Sequence, residues 1–233
     1  MAENEVENKF NRKFGSQNSG KKRKTGFSEP RLKYLIVCEG EKTEPLYFED
    51  IQGQLPPEII TLDIMGTGDN TLNIIARAKE AREKAKMKAK RNPGYKEYDE
   101  IWTVFDKDDF PSQNFNNAIF KAKEENIYAA YSNEAFELWY LLHFNFYNTA
   151  MNRDDYKKKL SECLSRKYEK NNSEIVLLIN TDINRKRAIQ NAKRLYEQSG
   201  YDHKNPANEN PSTTVYQLVE KLYKQIPKEK LTP

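Results

Sequence analysis

The chain has 233 residues, 32% of them charged, 37% hydrophobic and 12% aromatic, enough to bury one sizeable core but not two large independent domains. The net charge of +4 is unevenly placed, because residues 1–33 hold nine Lys/Arg against four Glu and the remainder is close to neutral. Cys38 and Cys163 lack metal or redox spacing, and no run approaches the roughly 20 apolar residues of a membrane span, which predicts a cytoplasmic protein with reduced thiols and excludes a disulfide scaffold or a membrane role.

Residues 1–30 are rich in Asn, Lys, Glu, Ser and Gly and end in Lys21-Lys22-Arg23-Lys24, the composition of a flexible basic arm. Tyr34-Leu35-Ile36-Val37-Cys38 is a continuous apolar run, as in a strand buried on both faces. After Glu39-Gly40-Glu41, Thr43 offers an N-cap and Pro45 suits a first turn, so a helix should run to about Gly53. Residues 59–64 alternate weakly and end at Gly66-Thr67-Gly68, where Asp69 or Asn70 can cap a long charged helix reaching the late eighties. Residues 98–105 form a third strand, followed by Asp106-Lys107-Asp108-Asp109 and a helix over about 115–125. A fourth strand at 127–131 leads through Ser132-Asn133 to a buried helix at 136–146. This alternation predicts an α/β fold, a parallel sheet of about four strands with helices on both faces.

Beyond residue 150 the pattern predicts amphipathic helices at about 153–168, 184–199 and 211–226, the last capped by Ser212 or Thr213. Residues 175–179 read either as a fifth strand or as part of a helix. The organisation expected is an arm at 1–30, an α/β domain at 31–147 and a helical C-terminal extension at 148–233 packed on it.

In an open parallel sheet, reactive groups collect beyond the carboxyl ends of the strands. Glu39 and Glu41 follow the first strand, and Asp106, Asp108 and Asp109 follow the third. If those strands are neighbours the carboxylates converge, and their repulsion is normally offset by a hard cation such as Mg²⁺. Such an ion can neutralise charge on a phosphoryl group and lower the pKa of a water, a design for phosphoester chemistry. The plainer alternative is that acidic strand ends are solvated caps and turn formers.

Three runs resemble the RloB (AbiL-type abortive-infection) proteins, which contain a TOPRIM domain: residues 35–44 (LIVCEGEKTE), 104–108 (VFDKD) and 136–144 (FELWYLLHF). The resemblance implies a TOPRIM-like Rossmannoid sheet over 31–147. It also implies a Mg²⁺- or Mn²⁺-dependent nuclease of DNA or RNA, serving antiphage defence with an ATPase partner. By its pattern Glu39 is the catalytic acid/base or a metal ligand, and Asp106 and Asp108 are metal ligands. OLD-type relatives of that domain add an S-x-E, matched by Ser132-Asn133-Glu134, so Glu134 is a further metal candidate with Glu137 competing for its place. They also carry an acidic residue where this chain has Thr43, leaving Glu41 or Glu44 to substitute and a second metal open.

Glu137 lies in a strongly apolar run and needs a partner, either a metal or a Lys/Arg; Glu39, Glu41 and Glu137 are the catalytic candidates. His143 reads as a hydrogen-bonded core histidine. The Gly66-Thr67-Gly68 turn reads as a connection rather than a phosphate cradle, because the Walker pattern is incomplete. Lys107 and the run Arg185-Lys186-Arg187 are candidates for nucleic-acid phosphates, against the alternative of ordinary surface charge. The lysines of the long helix, Lys79 to Lys90, admit both readings. Two other functions stay open, a non-catalytic sensor or adaptor and a metal-dependent phosphatase, and the oligomeric state is not fixed.

Overall fold

The computed structural model describes residues 32–68, 71–198 and 200–231. The basic arm and the Asp69 and Asn70 caps lie outside them. Five strands, β1 Leu32–Cys38, β2 Ile60–Gly66, β3 Glu100–Asp106, β4 Tyr128–Asn133 and β5 Ser212–Thr213, form one sheet in the order β2-β1-β3-β4-β5. The first four are parallel and β5 runs antiparallel to β4.

Side-chain alternation along β1 sorts the core into two layers. Tyr34, Ile36 and Cys38 enter one face with Tyr47, Phe48 and Ile51 of α1 (Thr43–Gln54). Leu35 and Val37 enter the other, with Ile74, Ile75 and Ala78 of α2 (Thr71–Arg91) and Phe115, Ala118 and Ala122 of α3 (Ser112–Glu124). Burial on both faces is why β1 is an unbroken apolar run instead of an alternating one.

The remaining helices, α4 Glu137–Leu142, α5 Arg153–Leu164, α6 Ser173–Ile179, α7 Asp182–Gln198 and α8 Val215–Tyr223, all feed the α1 face, where one apolar cluster extends from Tyr34 to Ile226. In α8 the buried residues Val215, Leu218, Val219 and Leu222 repeat at i, i+3, i+4 and i+7, the stripe of a helix laid on a core.

One open reading is decided and several local expectations are corrected. Residues 175–179 are helical: Ile175, Val176 and Ile179 are buried while Leu177 and Leu178 are exposed, a helical and not a period-two pattern, and the Asn172 side chain caps the start by accepting from Glu174 N–H at 3.0 Å. Ser212 and Thr213 are strand residues paired with Asn133 and Ser132 and not helix caps. Lys42, with no side-chain cap bond, holds the N-cap position of α1, and the Thr43 hydroxyl instead donates to Asn171 Oδ1 at 3.2 Å. Helix α5 stops at Leu164 because Ser165 turns left-handed at φ 52°, which sends residues 165–172 back across the end of the sheet.

Candidate active site

Strand order reverses between β1 and β3: the chain leaves β1 for β2 on one side and crosses to β3 on the other. That switch point is where an open α/β sheet leaves a crevice at its carboxyl edge. Cys38 pairs with Val104 in register, which sets Glu39 beside Phe105 and lets its side chain reach the N–H of the next residue, Asp106.

Glu39 is half-buried. Its Oε1 accepts the Thr71 hydroxyl at 3.0 Å and its Oε2 accepts the Asp106 N–H at 3.1 Å. Burial pushes its carboxyl up, and these two hydrogen bonds pull partly back. The Gly66-Thr67-Gly68 turn braces it from β2: Thr67 N–H donates to Cys38 O at 3.0 Å and Gly68 N–H to Glu39 O at 2.9 Å. Those two amides are therefore spent on the neighbouring strand end and do not cradle a phosphate. Gly66 is required here, since a Cβ would stand 2.7 Å from the Glu41 carbonyl oxygen.

Deeper in the crevice lie Glu44, Asp106 and Glu137, each less than a tenth exposed. Each has one buried oxygen without a hydrogen-bond partner, namely Glu44 Oε2, Asp106 Oδ1 and Glu137 Oε2. Burial raises the Asp106 carboxyl well above the usual range, and the charges of Glu44, Glu137 and Glu39 add to it. Glu44 is pushed up to about 7, again chiefly by burial, with Glu137 and Glu39 adding and Lys170 opposing. These groups sense one another as a single acidic cluster.

The positive charge facing that cluster comes from the C-terminal third. Arg153, the first residue of α5, holds Asp108 Oδ2 at 2.8 Å, and Lys170 holds Glu137 Oε1 at 3.2 Å beside the Tyr168 hydroxyl at 3.3 Å. The cavity has a volume of about 490 Å³, and Glu39, Glu41, Glu44, Asp106, Asp108 and Glu137 line it together with Arg153 and Lys170.

Of the sequence candidates, the structure brings together Glu39, Asp106, Asp108 and Glu137, with the exposed Glu41 on the rim. Glu134 does not line the cavity: its Oε1 accepts from Asn210 Nδ2 at 3.3 Å, and its carbonyl receives the Asp108 N–H at 2.9 Å. Glu134 thus supports the loop that presents Asp108, while Glu137 occupies the crevice. Lys107 folds back on its own loop, with Nζ 3.3 Å from Asp108 O.

Arg185 is fully buried, which takes it out of reach of any phosphate. Its Nε donates to Asn180 Oδ1 at 2.8 Å and its Nη2 to Gln54 Oε1 at 3.1 Å. Gln54 ends α1, about 15 Å along its axis from Glu44 at about 1.5 Å per residue, so this cluster lies apart from the carboxylates. Lys186 pairs with Asp182 at 2.8 Å, and the exposed Arg187 donates to His143 O at 3.0 Å. His143 is the core histidine expected, its ring bonded to Tyr47 Oη at 3.2 Å and Trp139 O at 2.9 Å. On α2, Lys79, Lys84 and Lys86 pair with Glu125, Glu80 and Glu83.

The donor chemistry suits a hard divalent cation, because three carboxylate oxygens of the cavity lining are buried and unpartnered. Among the described residues, however, no group of three or more Asp, Glu, His or Cys side chains is arranged to hold a metal as it stands. Two of the lining carboxylates, Asp108 and Glu137, are already paired with Arg153 and Lys170.

A family model described as RloB-like protein matches residues 34–222, most of the chain. The chain belongs to the RloB-like family. The matched span begins in β1 and ends in α8, so it takes in the strand-end carboxylates as well as Arg153 and Lys170. Neither the curated proteins nor the solved structures yield a match.

Proposed function

We propose that this RloB-like chain is a TOPRIM-type, metal-dependent nuclease, the effector of an antiphage defence system that works with an ATPase partner. The observation that carries this reading is the convergence of Glu39, Glu44, Asp106 and Glu137 at the β1/β3 switch point, with three buried carboxylate oxygens left unpartnered. Buried carboxylate oxygens without a partner cost stability, and Lys170 and Tyr168, which reach only Glu137 Oε1, offset that cost only in part.

Asp106, Glu44 and Glu137 would hold Mg²⁺ or Mn²⁺, with Asp108 released from Arg153 as a further ligand. A bound ion supplies Lewis acidity towards a phosphoryl oxygen and a water of lowered pKa. Glu39, fixed by Thr71 and by the Asp106 amide, is oriented to accept a proton from the attacking water or return one to the leaving oxygen. The test is cleavage of DNA and RNA by the purified chain, alone and with its ATPase partner, in Mg²⁺ and Mn²⁺. Asp106→Asn and Glu39→Gln should each abolish cleavage and phage protection; protection that survives both substitutions overturns the reading.

A second reading, a non-catalytic sensor or adaptor, draws on the ion pairs that already neutralise Asp108 and Glu137. It predicts that an Asp106→Ala/Asp108→Ala double variant still protects cells.

A further inference from the structure

Two ion pairs stand where a divalent cation would have to compete. Arg153 on Asp108 and Lys170 on Glu137 both come from residues 153–170, a segment that forms the wall of the cavity and not its sheet floor. Both cations retain exposure, 32% and 40% of their side chains, whereas the Glu137 side chain is 1% exposed. Lys170 can therefore swing outward into water at little cost while Glu137 cannot follow, whereas Arg153 and Asp108, the latter 28% exposed, both lie at the mouth of the crevice. Arg153 also keeps Nε buried without a partner, so its fork is incompletely used by Asp108.

We propose that Arg153 and Lys170 are movable counter-charges: they neutralise Asp108 and Glu137 until a divalent cation takes those carboxylates, and then they bind the backbone phosphate of a nucleic-acid strand. This rests on the metal-dependent reading given above. A divalent ion that takes Asp108 and Glu137 displaces Arg153 and Lys170 from their partners, and the two freed cations on the cavity wall are then open to an anion. A phosphodiester fits, because its two unesterified oxygens match the planar guanidinium fork and an ammonium alike. Asn171, next to Lys170 and also lining the cavity, accepts the Thr43 hydroxyl on its Oδ1 at 3.2 Å, which leaves its side-chain amide N–H groups as uncharged donors. The same exchange accounts for the absence, among the described residues, of a ready-made metal cluster.

Two titrations on the full-length chain test this. Mn²⁺ binding is followed by the loss of the free-ion paramagnetic resonance signal, and binding of a labelled single-stranded oligonucleotide by fluorescence anisotropy in EDTA and in Mn²⁺. Arg153→Gln and Lys170→Gln should each tighten Mn²⁺ about fivefold, the value of one partly exposed ion pair, while Asp106→Asn weakens it. In the wild type Mn²⁺ should strengthen oligonucleotide binding, and both cation variants should lose that gain despite holding Mn²⁺ more tightly. If the wild type binds Mn²⁺ and neither cation variant binds it more tightly, or if both keep the oligonucleotide gain, the exchange is wrong and the metal reading stands. If neither the wild type nor the cation variants bind Mn²⁺, both fail.

Discussion

Replacing Glu44 by Gln removes one charge from the acidic cluster while keeping the shape of the side chain. In the native state burial raises this carboxyl from its ordinary 4.5 to about 7, so ionising it in the fold costs about 3 kcal/mol at about 1.4 kcal/mol per pH unit. A group whose pKa is higher folded than unfolded contributes stability below its unfolded pKa and loses it as pH rises through the folded one. Wild-type stability from this group therefore declines by about 3 kcal/mol between roughly pH 4.5 and pH 8. Glu44→Gln has no such decline. In EDTA at pH 8 the variant should be up to about 3 kcal/mol more stable than wild type, an advantage that shrinks towards zero near pH 5. Urea unfolding followed by circular dichroism across pH 5 to 8.5 measures the difference. Saturating Mg²⁺ or Mn²⁺ should close the gap from the other side, by stabilising the wild type more than the variant. A variant that is less stable at pH 8, or a difference flat with pH, refutes the account of an uncompensated buried carboxylate.

His143 gives the opposite slope in acid. Burial lowers its pKa from 6.5 to about 3, so the unfolded chain binds a proton that the fold refuses, and stability falls as pH drops below 6.5 by up to about 1.4 kcal/mol per unit; His143→Gln should flatten that part of the urea-stability profile. Arg185→Met strips donors from Asn180 and Gln54 and should cost about 2–3 kcal/mol in thermal or urea unfolding, with oligonucleotide affinity of the folded protein unchanged; a selective loss of affinity would restore Arg185 to the nucleic-acid interface. Gly66→Ala drives a Cβ against the backbone of Gly40 and Glu41, so it should lower the melting temperature and also reduce Mn²⁺-dependent cleavage, because the displaced backbone follows directly on Glu39.

The sheet and the position of its reactive edge were legible because both rest on local signals. A continuous apolar run marks β1, and carboxylates directly after two strands mark its end. The identity of the buried acids was less plain, though part of the signal was present. Glu44 shares a helical stripe with Tyr47, Phe48 and Ile51 at i, i+3, i+4 and i+7, so a charge on the buried face of α1 was readable, whereas Glu41 lies before the helix begins. Arg185 sits in the same way with Ala188, Ile189 and Ala192, a stripe that separates it from its neighbours Lys186 and Arg187. Arg153, Tyr168 and Lys170 had no such mark. They reach the crevice only because α5 packs beside α4 and Ser165 reverses the chain, a tertiary outcome that no spacing around residues 153–170 encodes.

That dependence on the C-terminal third bears on why the cluster is retained. Three neighbouring carboxyls, each with an unpartnered buried oxygen, are a net cost to a domain whose whole stability is of order 5–15 kcal/mol. Arg153, Tyr168 and Lys170 offset part of it from one side, yet Asp106 and Glu44 keep raised pKa values even with those groups in place. Apolar residues of similar size would serve the fold better. A ligand that binds only the native state contributes about 4 kcal/mol when present at a thousand times its Kd, comparable to the ionisation cost at Glu44. On the metal-dependent reading, a bound cation would balance the charge that packing leaves uncompensated in the crevice, and Arg153 and Lys170 would hold part of it until that cation binds.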